Sequence, residues 1–150
     1  MEEPRIPSDF RFETKLTVRW SDEDHHRVVN NAVYLTLMEE ARLAYFTELG
    51  LMEDGRFPFV LAQANVVFVR PGRGGRSVNV AARTTQLGNS SLGQAYRISD
   101  AETGEVWCVG EARLVGWDIE AKEKRNFPDA WRGTLSKYES DPELRGASGT

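Results

Sequence analysis

Cysteine, histidine and long apolar runs are scarce in this chain. Its single cysteine, Cys108, excludes an internal disulfide, and we expect it to be a small buried residue in a reducing cytoplasm. No apolar run approaches the ~20 residues of a membrane-spanning helix, and the acidic N-terminus lacks the apolar core of a signal peptide. The only histidines, His25 and His26, should point apart in an extended loop, so we expect no metal site.

An excess of positive charge is missing as well. The 19 Lys and Arg residues against 23 Asp and Glu residues give a net charge of −4, which argues against a nucleic-acid partner. The length of 150 residues suits one domain spanning residues 1–150. From about residue 140 the chain is polar, and we expect a frayed C-terminal tail there.

What the chain does contain is a clear series of periodic segments. Residues 12–20 alternate as a half-buried strand, and residues 33–49 have the period of an amphipathic helix with Arg42 away from its apolar face. Asn31 is the expected N-cap of this helix and Gly50 its terminator. Four further strands are expected over residues 59–69, 77–87, 92–99 and 105–117, and a short helix over 128–137.

This order of elements predicts an α+β fold, because one helix is followed by a meander of antiparallel strands. Five strands leave two exposed edges, and an exposed edge tends to pair with another strand. We therefore expect a homodimer or homotetramer that continues the sheet.

The most informative segment is residues 18–34, where a strand ends, an acidic loop follows and two asparagines lead into the helix. Asp24 therefore lies just ahead of a helix N-terminus, where unpaired N–H groups favour negative charge. A carboxylate beside oriented N–H donors suits acyl transfer, which needs a base or nucleophile and donors for an oxyanion. Taken alone, the pattern also fits Asp24 as a turn cap and Asn30 and Asn31 as helix caps.

The same segment resembles the signature of the hot-dog-fold acyl-CoA thioesterases, nearest to the 4-hydroxybenzoyl-CoA thioesterase and acyl-carrier-protein thioesterase branches. The matching residues are Asp22, Asp24, Val29-Asn30-Asn31, Tyr34-Leu35 and Glu39-Glu40-Ala41-Arg42. The resemblance covers about residues 10 to 132 and implies a sheet of about five strands wrapped around one long helix. It also implies that Asp24 is the nucleophile or general base, that Asp22 is structural, and that a backbone N–H near Asn31 faces the thioester carbonyl oxygen.

Two positions depart from the family pattern. Arg27 stands where the family usually has Gly, and Val28 stands where the Asn-Asn branch often has a His that takes part in some proposed mechanisms. Val28 cannot do acid–base chemistry, so the reaction would depend on Asp24 and backbone dipoles. Arg27 is expected to favour the ionised form of Asp24 and to narrow the pocket. We assign Arg27, Val28, Asn30 and Tyr34 to substrate binding.

A basic turn supplies a second group of candidates. Arg70, Arg73 and Arg76 surround a segment rich in Pro and Gly, and guanidinium groups suit the phosphates at the nucleotide end of coenzyme A. A solvated basic loop is an equally good interpretation. Ser90 and Ser91, in a later turn, are weaker candidates for the phosphates or the pantetheine arm.

Our interpretation is a cytoplasmic acyl-CoA thioesterase that needs no cofactor other than the coenzyme A of its substrate. The acyl group would lie between a helix and the sheet of a neighbouring subunit. A non-catalytic acyl-CoA-binding protein of the same fold is the main alternative, because of the residues at positions 27 and 28. A hydratase or dehydratase is disfavoured, since those relatives need an Asp/His pair and no His lies outside positions 25 and 26.

Overall fold

The structure is a computed structural model that describes residues 1–146. It contains the expected long helix, the five long strands and the expected short helix near residues 128–137, together with three short elements that the sequence did not indicate. In chain order the elements are β1 (Phe12–Thr17), a 3-10 turn (Trp20–Asp22), α1 (Asn31–Glu48), β2 (Phe59–Phe68), β3 (Ser77–Leu87), β4 (Ser91–Asp100), β5 (Val106–Asp118), β6 (Glu123–Lys124), α2 (Ala130–Glu139) and α3 (Glu143–Gly146). Because the 3-10 turn begins at Trp20, the first strand is shorter than expected.

The five long strands form one antiparallel sheet in the order β1-β3-β4-β5-β2, and the short β6 pairs with the end of β5. Two consecutive hairpins, β3–β4 and β4–β5, build its centre, whereas β2 crosses to the far side of β5. The expected α+β class and hot-dog architecture are confirmed. Within residues 1–146, the outer edges of β1 and β2 have no partner strand.

Helix α1 packs on one face of the sheet and forms the core with it. The buried helix residues are Tyr34, Leu37, Met38, Ala41, Arg42, Tyr45 and Phe46. Gly110 on β5 makes the close approach possible, since a Cβ there would lie 3.1 Å from the Met38 methyl carbon. Arg42 was expected to lie away from the apolar face of the helix, and this expectation is wrong. Arg42 is 4% exposed and its Nε donates to the Tyr96 hydroxyl at 2.9 Å, so a polar partner inside the core compensates its burial.

The two ends of α1 follow from local capping chemistry. The N-cap is Asn30 rather than the expected Asn31, because the Asn30 side chain accepts the Ala32 N–H at 2.9 Å. At the other end Gly50 has φ 73°, as expected of the terminating residue. Its N–H bonds the Thr47 carbonyl, and the next N–H, of Leu51, bonds the Phe46 carbonyl, which closes the helix.

The C-terminal segment packs on the sheet instead of fraying from residue 140. Helix α3 begins at Glu143, whose N–H is capped by the Asp141 carboxylate at 3.0 Å. Leu144 is 1% exposed and belongs to the core. One apolar residue in a polar stretch is enough to anchor it, which composition alone did not reveal. Residues 147–150 of the expected tail lie outside the described residues.

The Cys108 thiol, the helices and the β2 edge can each be compared with what the sequence led us to expect. Cys108 is fully buried, as predicted, and burial raises the pKa of its thiol to about 12. No helix within residues 1–146 is both long and apolar enough to cross a membrane. The β2 edge exposes large apolar side chains, with exposed fractions of 41% for Val60, 48% for Leu61 and 45% for Phe68.

Candidate active site

The acidic loop, residues 22–30, is a small hairpin that leads directly into α1. Its tip closes where the Asp24 N–H donates to the Val28 carbonyl at 2.9 Å. Its base closes where the Asn30 N–H donates to the Asp22 carbonyl at 3.0 Å. Given strand spacing and rise, this pairing puts the Cα atoms of Asp24 and Asn31 roughly 10 Å apart.

Asp24 keeps part of its carboxylate available. Oδ1 accepts the His26 N–H at 2.8 Å, which is the turn-capping contact that Asp favours. Oδ2 has no hydrogen-bond partner within residues 1–146, and the side chain is partly exposed. The capping role and a chemical role are therefore compatible, because one oxygen fixes the rotamer while the other faces outward.

The first turn of α1 provides an N–H donor beside this carboxylate. The Asn30 side chain accepts the Ala32 N–H, and the Asn30 carbonyl accepts the Val33 N–H at 2.9 Å. Within the described part of the chain the Asn31 N–H has no acceptor, and Asn31 itself is exposed. An unpaired N–H at the positive end of an 18-residue helix is suited to hold a developing oxyanion.

The two acidic neighbours of Asp24 are engaged in structural contacts. Asp22 accepts both the backbone N–H of Arg19 at 2.9 Å and its guanidinium at 2.8 Å. The bond from Arg19 holds the pKa of the Asp22 carboxyl below its usual value. Glu23 turns the other way, and its Oε2 accepts the Gly74 N–H at 2.8 Å. Neither set of contacts involves Asp24, whose Oδ2 stays without a hydrogen-bond partner within residues 1–146.

Arg27 and Val28 take clear positions on the return side of the hairpin. Arg27 is exposed with φ 63°, a left-handed conformation in which Gly is the least strained residue. This backbone requirement gives a physical reason for the Gly that the family usually has there. The Arg27 side chain was expected to lie near Asp24, but no ion pair joins the two residues among residues 1–146. Val28 is half-buried and contributes its carbonyl to the hairpin.

The two histidines face each other rather than pointing apart, with ring centroids 4.0 Å apart and both rings exposed. The turn at the hairpin tip bends the chain, which an extended loop would not do. No group of three or more His, Cys, Asp or Glu side chains within residues 1–146 is arranged to hold a metal ion.

Tyr34 is a core residue and not an open contact surface. It is 2% exposed, and its hydroxyl accepts the Gly72 N–H at 3.2 Å. Burial raises the pKa of this hydroxyl. Gly72 must be glycine here, since a Cβ would lie 2.4 Å from the Trp107 ring and 2.8 Å from the Tyr34 hydroxyl. Tyr34 therefore holds the neighbouring turn through its hydroxyl, and its assignment to substrate binding stays a prediction.

The basic turn, residues 70–76, lies against the acidic loop. Arg73 and Arg70 have side chains that are 65% and 63% exposed, with distant carboxylate partners at 3.5 Å and 3.9 Å. Arg76 is different, because its Nε bonds Asp100 at 2.5 Å and its Nη2 bonds Glu102 at 3.2 Å. These bonds leave Arg70 and Arg73 as the better candidates for an anion.

Ser90 is not brought to this site within one chain. It is buried in the β3–β4 turn, whereas the basic turn precedes the other end of β3. An 11-residue strand is roughly 35 Å long at about 3.3 Å per residue. A cavity of about 900 Å³ lies between the N-terminal segment and the sheet, and of the residues predicted from the sequence Ser91 lines it.

Comparison with known proteins places the chain in a family. A family model described as the thioesterase-like superfamily matches residues 18–135, which include the acidic loop, α1 and the whole meander. The chain belongs to this superfamily. The reaction class that goes with this membership is thioester hydrolysis.

Solved structures with the same fold agree. A thioesterase from Thermus thermophilus, crystallised with coenzyme A and zinc, is 33% identical with a TM-score of 0.77, covering 89% of this chain and 98% of its own. A 1,4-dihydroxy-2-naphthoyl-CoA thioesterase from Synechocystis is 21% identical with a TM-score of 0.73, covering 83% and 94%, and shows the fold alone. The uncharacterised protein YsmA of Bacillus subtilis is 28% identical over 129 residues, which are 85% of this chain and 87% of that protein.

The zinc ion of the Thermus thermophilus structure has no evident counterpart here. The carboxylates of Asp24, Asp22 and Glu23 each accept a backbone N–H, and the two exposed imidazoles are tilted against each other. These groups do not form a set of zinc ligands, so the reaction is described without a metal ion.

Proposed function

We propose that this protein is an acyl-CoA thioesterase in which Asp24 and the Asn31 N–H are the chemical groups. The observation that supports this most directly is the pair of unused polar atoms at the acidic loop: Asp24 Oδ2 and the Asn31 N–H both lack protein partners within residues 1–146. A base or nucleophile and an oxyanion donor are the two groups that thioester cleavage needs.

In the general-base route, Asp24 removes a proton from water as the water oxygen attacks the thioester carbon. The carbonyl oxygen becomes an oxyanion that the Asn31 N–H stabilises. The carbon–sulfur bond then breaks, and the coenzyme A thiolate leaves and is protonated, which yields the free acid and the thiol. In the nucleophilic route, the Asp24 carboxylate attacks directly, forms an anhydride as the thiolate leaves, and water then hydrolyses the anhydride. Both routes use the same two groups.

Coenzyme A is the proposed carrier because the 33%-identical thioesterase was crystallised with it. Arg70 and Arg73 support this choice, since their exposed guanidinium groups can pair with phosphates. Arg27, Val28 and Asn30 complete the surface around the carboxylate. A cytoplasmic location remains part of the proposal, in keeping with the free thiol of Cys108.

A second copy of the chain is part of the proposed active form. The β2 edge is unpaired and carries exposed apolar side chains, and Phe68 lies 5.6 Å from the Tyr34 ring near the start of α1. Exposed Leu35 extends this apolar surface along the helix. A partner covering it would bury the surface and provide an acyl-binding wall, as a homodimer or a homotetramer.

The test is to measure turnover of a panel of short-chain, medium-chain and aromatic acyl-CoA thioesters. Hydrolysis is detected through the release of free thiol. We expect at least one substrate to be hydrolysed with saturation kinetics. Tight binding of acyl-CoA without turnover of any panel member would instead favour the non-catalytic binding protein, for which Val28 is the specific argument.

A further inference from the structure

The acidic loop is held from outside by a neighbouring segment of the chain. The basic turn, residues 70–76, bonds both sides of the loop and the first turn of α1. Glycines make the contact possible. At Gly74 a Cβ would lie 2.7 Å from the Arg19 carbonyl and 2.8 Å from the Trp20 Cα.

The outgoing side of the loop is held by a side chain, Glu23. Its Oε2 accepts the Gly74 N–H at 2.8 Å and lies 3.5 Å from Arg73 Nε. Only 13% of the Glu23 side chain is exposed, so its bond to the Gly74 N–H is sheltered from solvent, whereas the Arg73 side chain is 65% exposed and adds little. Glu23 directly precedes Asp24.

The return side and the helix are held by Gly72. Its carbonyl accepts the Val29 N–H at 2.9 Å, and its N–H donates to the Tyr34 hydroxyl at 3.2 Å. Val29 is two residues before Asn31, and Tyr34 is one turn after it. The residues next to both candidate reactive groups are thus bonded to the same segment of the chain.

From these contacts we infer that Glu23 is a positioning residue, which with Gly72 and Gly74 sets the distance between the Asp24 carboxylate and the Asn31 N–H. The inference rests on the proposed function, since it concerns the geometry of that reaction. Glu23 does not touch the substrate, and it acts through the backbone of the acidic loop. Misplacing a reactive group by about 1 Å reduces the rate far more than it weakens substrate binding.

Two substitutions separate positioning from other roles. Glu23→Ala removes the acceptor of the Gly74 N–H, and we expect kcat to fall about tenfold with KM within about a factor of two. Glu23→Gln keeps an oxygen acceptor, so kcat should stay within about threefold of the wild type. The matched control is Glu53→Ala, which breaks a bidentate pair with Arg125 at 2.8 Å beyond the other end of α1. It should leave kcat unchanged.

Amide hydrogen exchange gives a readout that does not depend on activity. In Glu23→Ala the N–H groups of Gly74 and Val29 should exchange about tenfold faster, and in Glu53→Ala they should not. Unchanged exchange, or a kcat equal to that of the wild type, would overturn the inference. Loss of kcat in Glu23→Gln as large as in Glu23→Ala would overturn it too, because the carboxylate itself would then be needed. If the wild type hydrolyses no thioester although exchange responds as expected, the proposed function fails while the structural link stands.

Discussion

Glu139 of α2 and Tyr45 of α1 share a hydrogen bond inside the core, in which the Tyr45 hydroxyl donates to Glu139 Oε2 at 2.5 Å. The same oxygen accepts the Thr84 N–H of β3 at 3.0 Å. One carboxylate thereby connects the C-terminal helix, the central helix and the sheet. Burial raises the pKa of this carboxyl from 4.5, and this outweighs the lowering effect of both bonds.

The raised pKa of Glu139 predicts an unusual pH dependence. Between 4.5 and the raised value, the folded state binds more protons at this site than the unfolded state does. The extra proton binding stabilises the folded state. Its contribution to the free energy of unfolding is complete below pH 4.5 and is lost as pH rises through the pKa of Glu139 in the folded state. Glu139→Gln should therefore gain stability relative to the wild type as pH rises, in urea titrations from about pH 4.5 to 8. A difference in the free energy of unfolding between Glu139→Gln and the wild type that does not change with pH would contradict it.

Arg27 predicts a stabilising substitution. A side chain in the left-handed region costs about 1–2 kcal/mol, and glycine there costs only its greater flexibility in the unfolded chain. Arg27→Gly should raise the free energy of unfolding by about 0.5–1 kcal/mol, measured in urea. Arg27→Ala is the control, because alanine keeps the Cβ and the strain. Equal stability of the two variants would mean that the backbone conformation is not strained.

The sequence predicted the strands and α1 well because each has a strong period of its own. The sequence also predicted the acidic loop, because an Asp just before the start of a helix can adopt few conformations. The exact cap was not, because Asn30 and Asn31 are chemically identical and only the backbone decides between them.

Burial of polar groups was the part that the sequence did not reveal. Arg42 carries a charged group, and its burial depends on a partner far along the chain, Tyr96. The separation of Ser90 from the basic turn likewise depends on strand direction, and a motif does not contain that information.

The exposed arginines predict a split between kinetic parameters. Replacing Arg70 and Arg73 by Ala should raise KM for acyl-CoA several-fold and leave kcat within about a factor of two, because the nucleotide end is remote from the reacting bond. The effect should shrink at high salt and disappear for an acyl-pantetheine. Arg76→Ala is the control, since its guanidinium is already bound by Asp100 and Glu102. An equal change in KM for both substrates would exclude a phosphate role.

The β2 edge predicts self-association. Sedimentation equilibrium at micromolar concentration should give a mass of at least twice the 16.9 kDa of one chain. Replacing Val60 and Leu61 by Lys puts two charges on the exposed edge and should shift the mass toward one chain, with loss of activity. A wild-type monomer would remove the basis for an acyl site built by two subunits.

The central claim is that Asp24 performs the chemistry. Asp24→Asn keeps the Oδ1 acceptor for the His26 N–H, so the loop should keep its shape and the protein its stability. Without the carboxylate, kcat for the best acyl-CoA substrate should fall by a factor of about 100 or more. The decisive measurement is kcat of the Asp24→Asn variant, checked to be folded, beside the wild type. A fall of that size is what the account predicts, and turnover near the wild-type rate would contradict it.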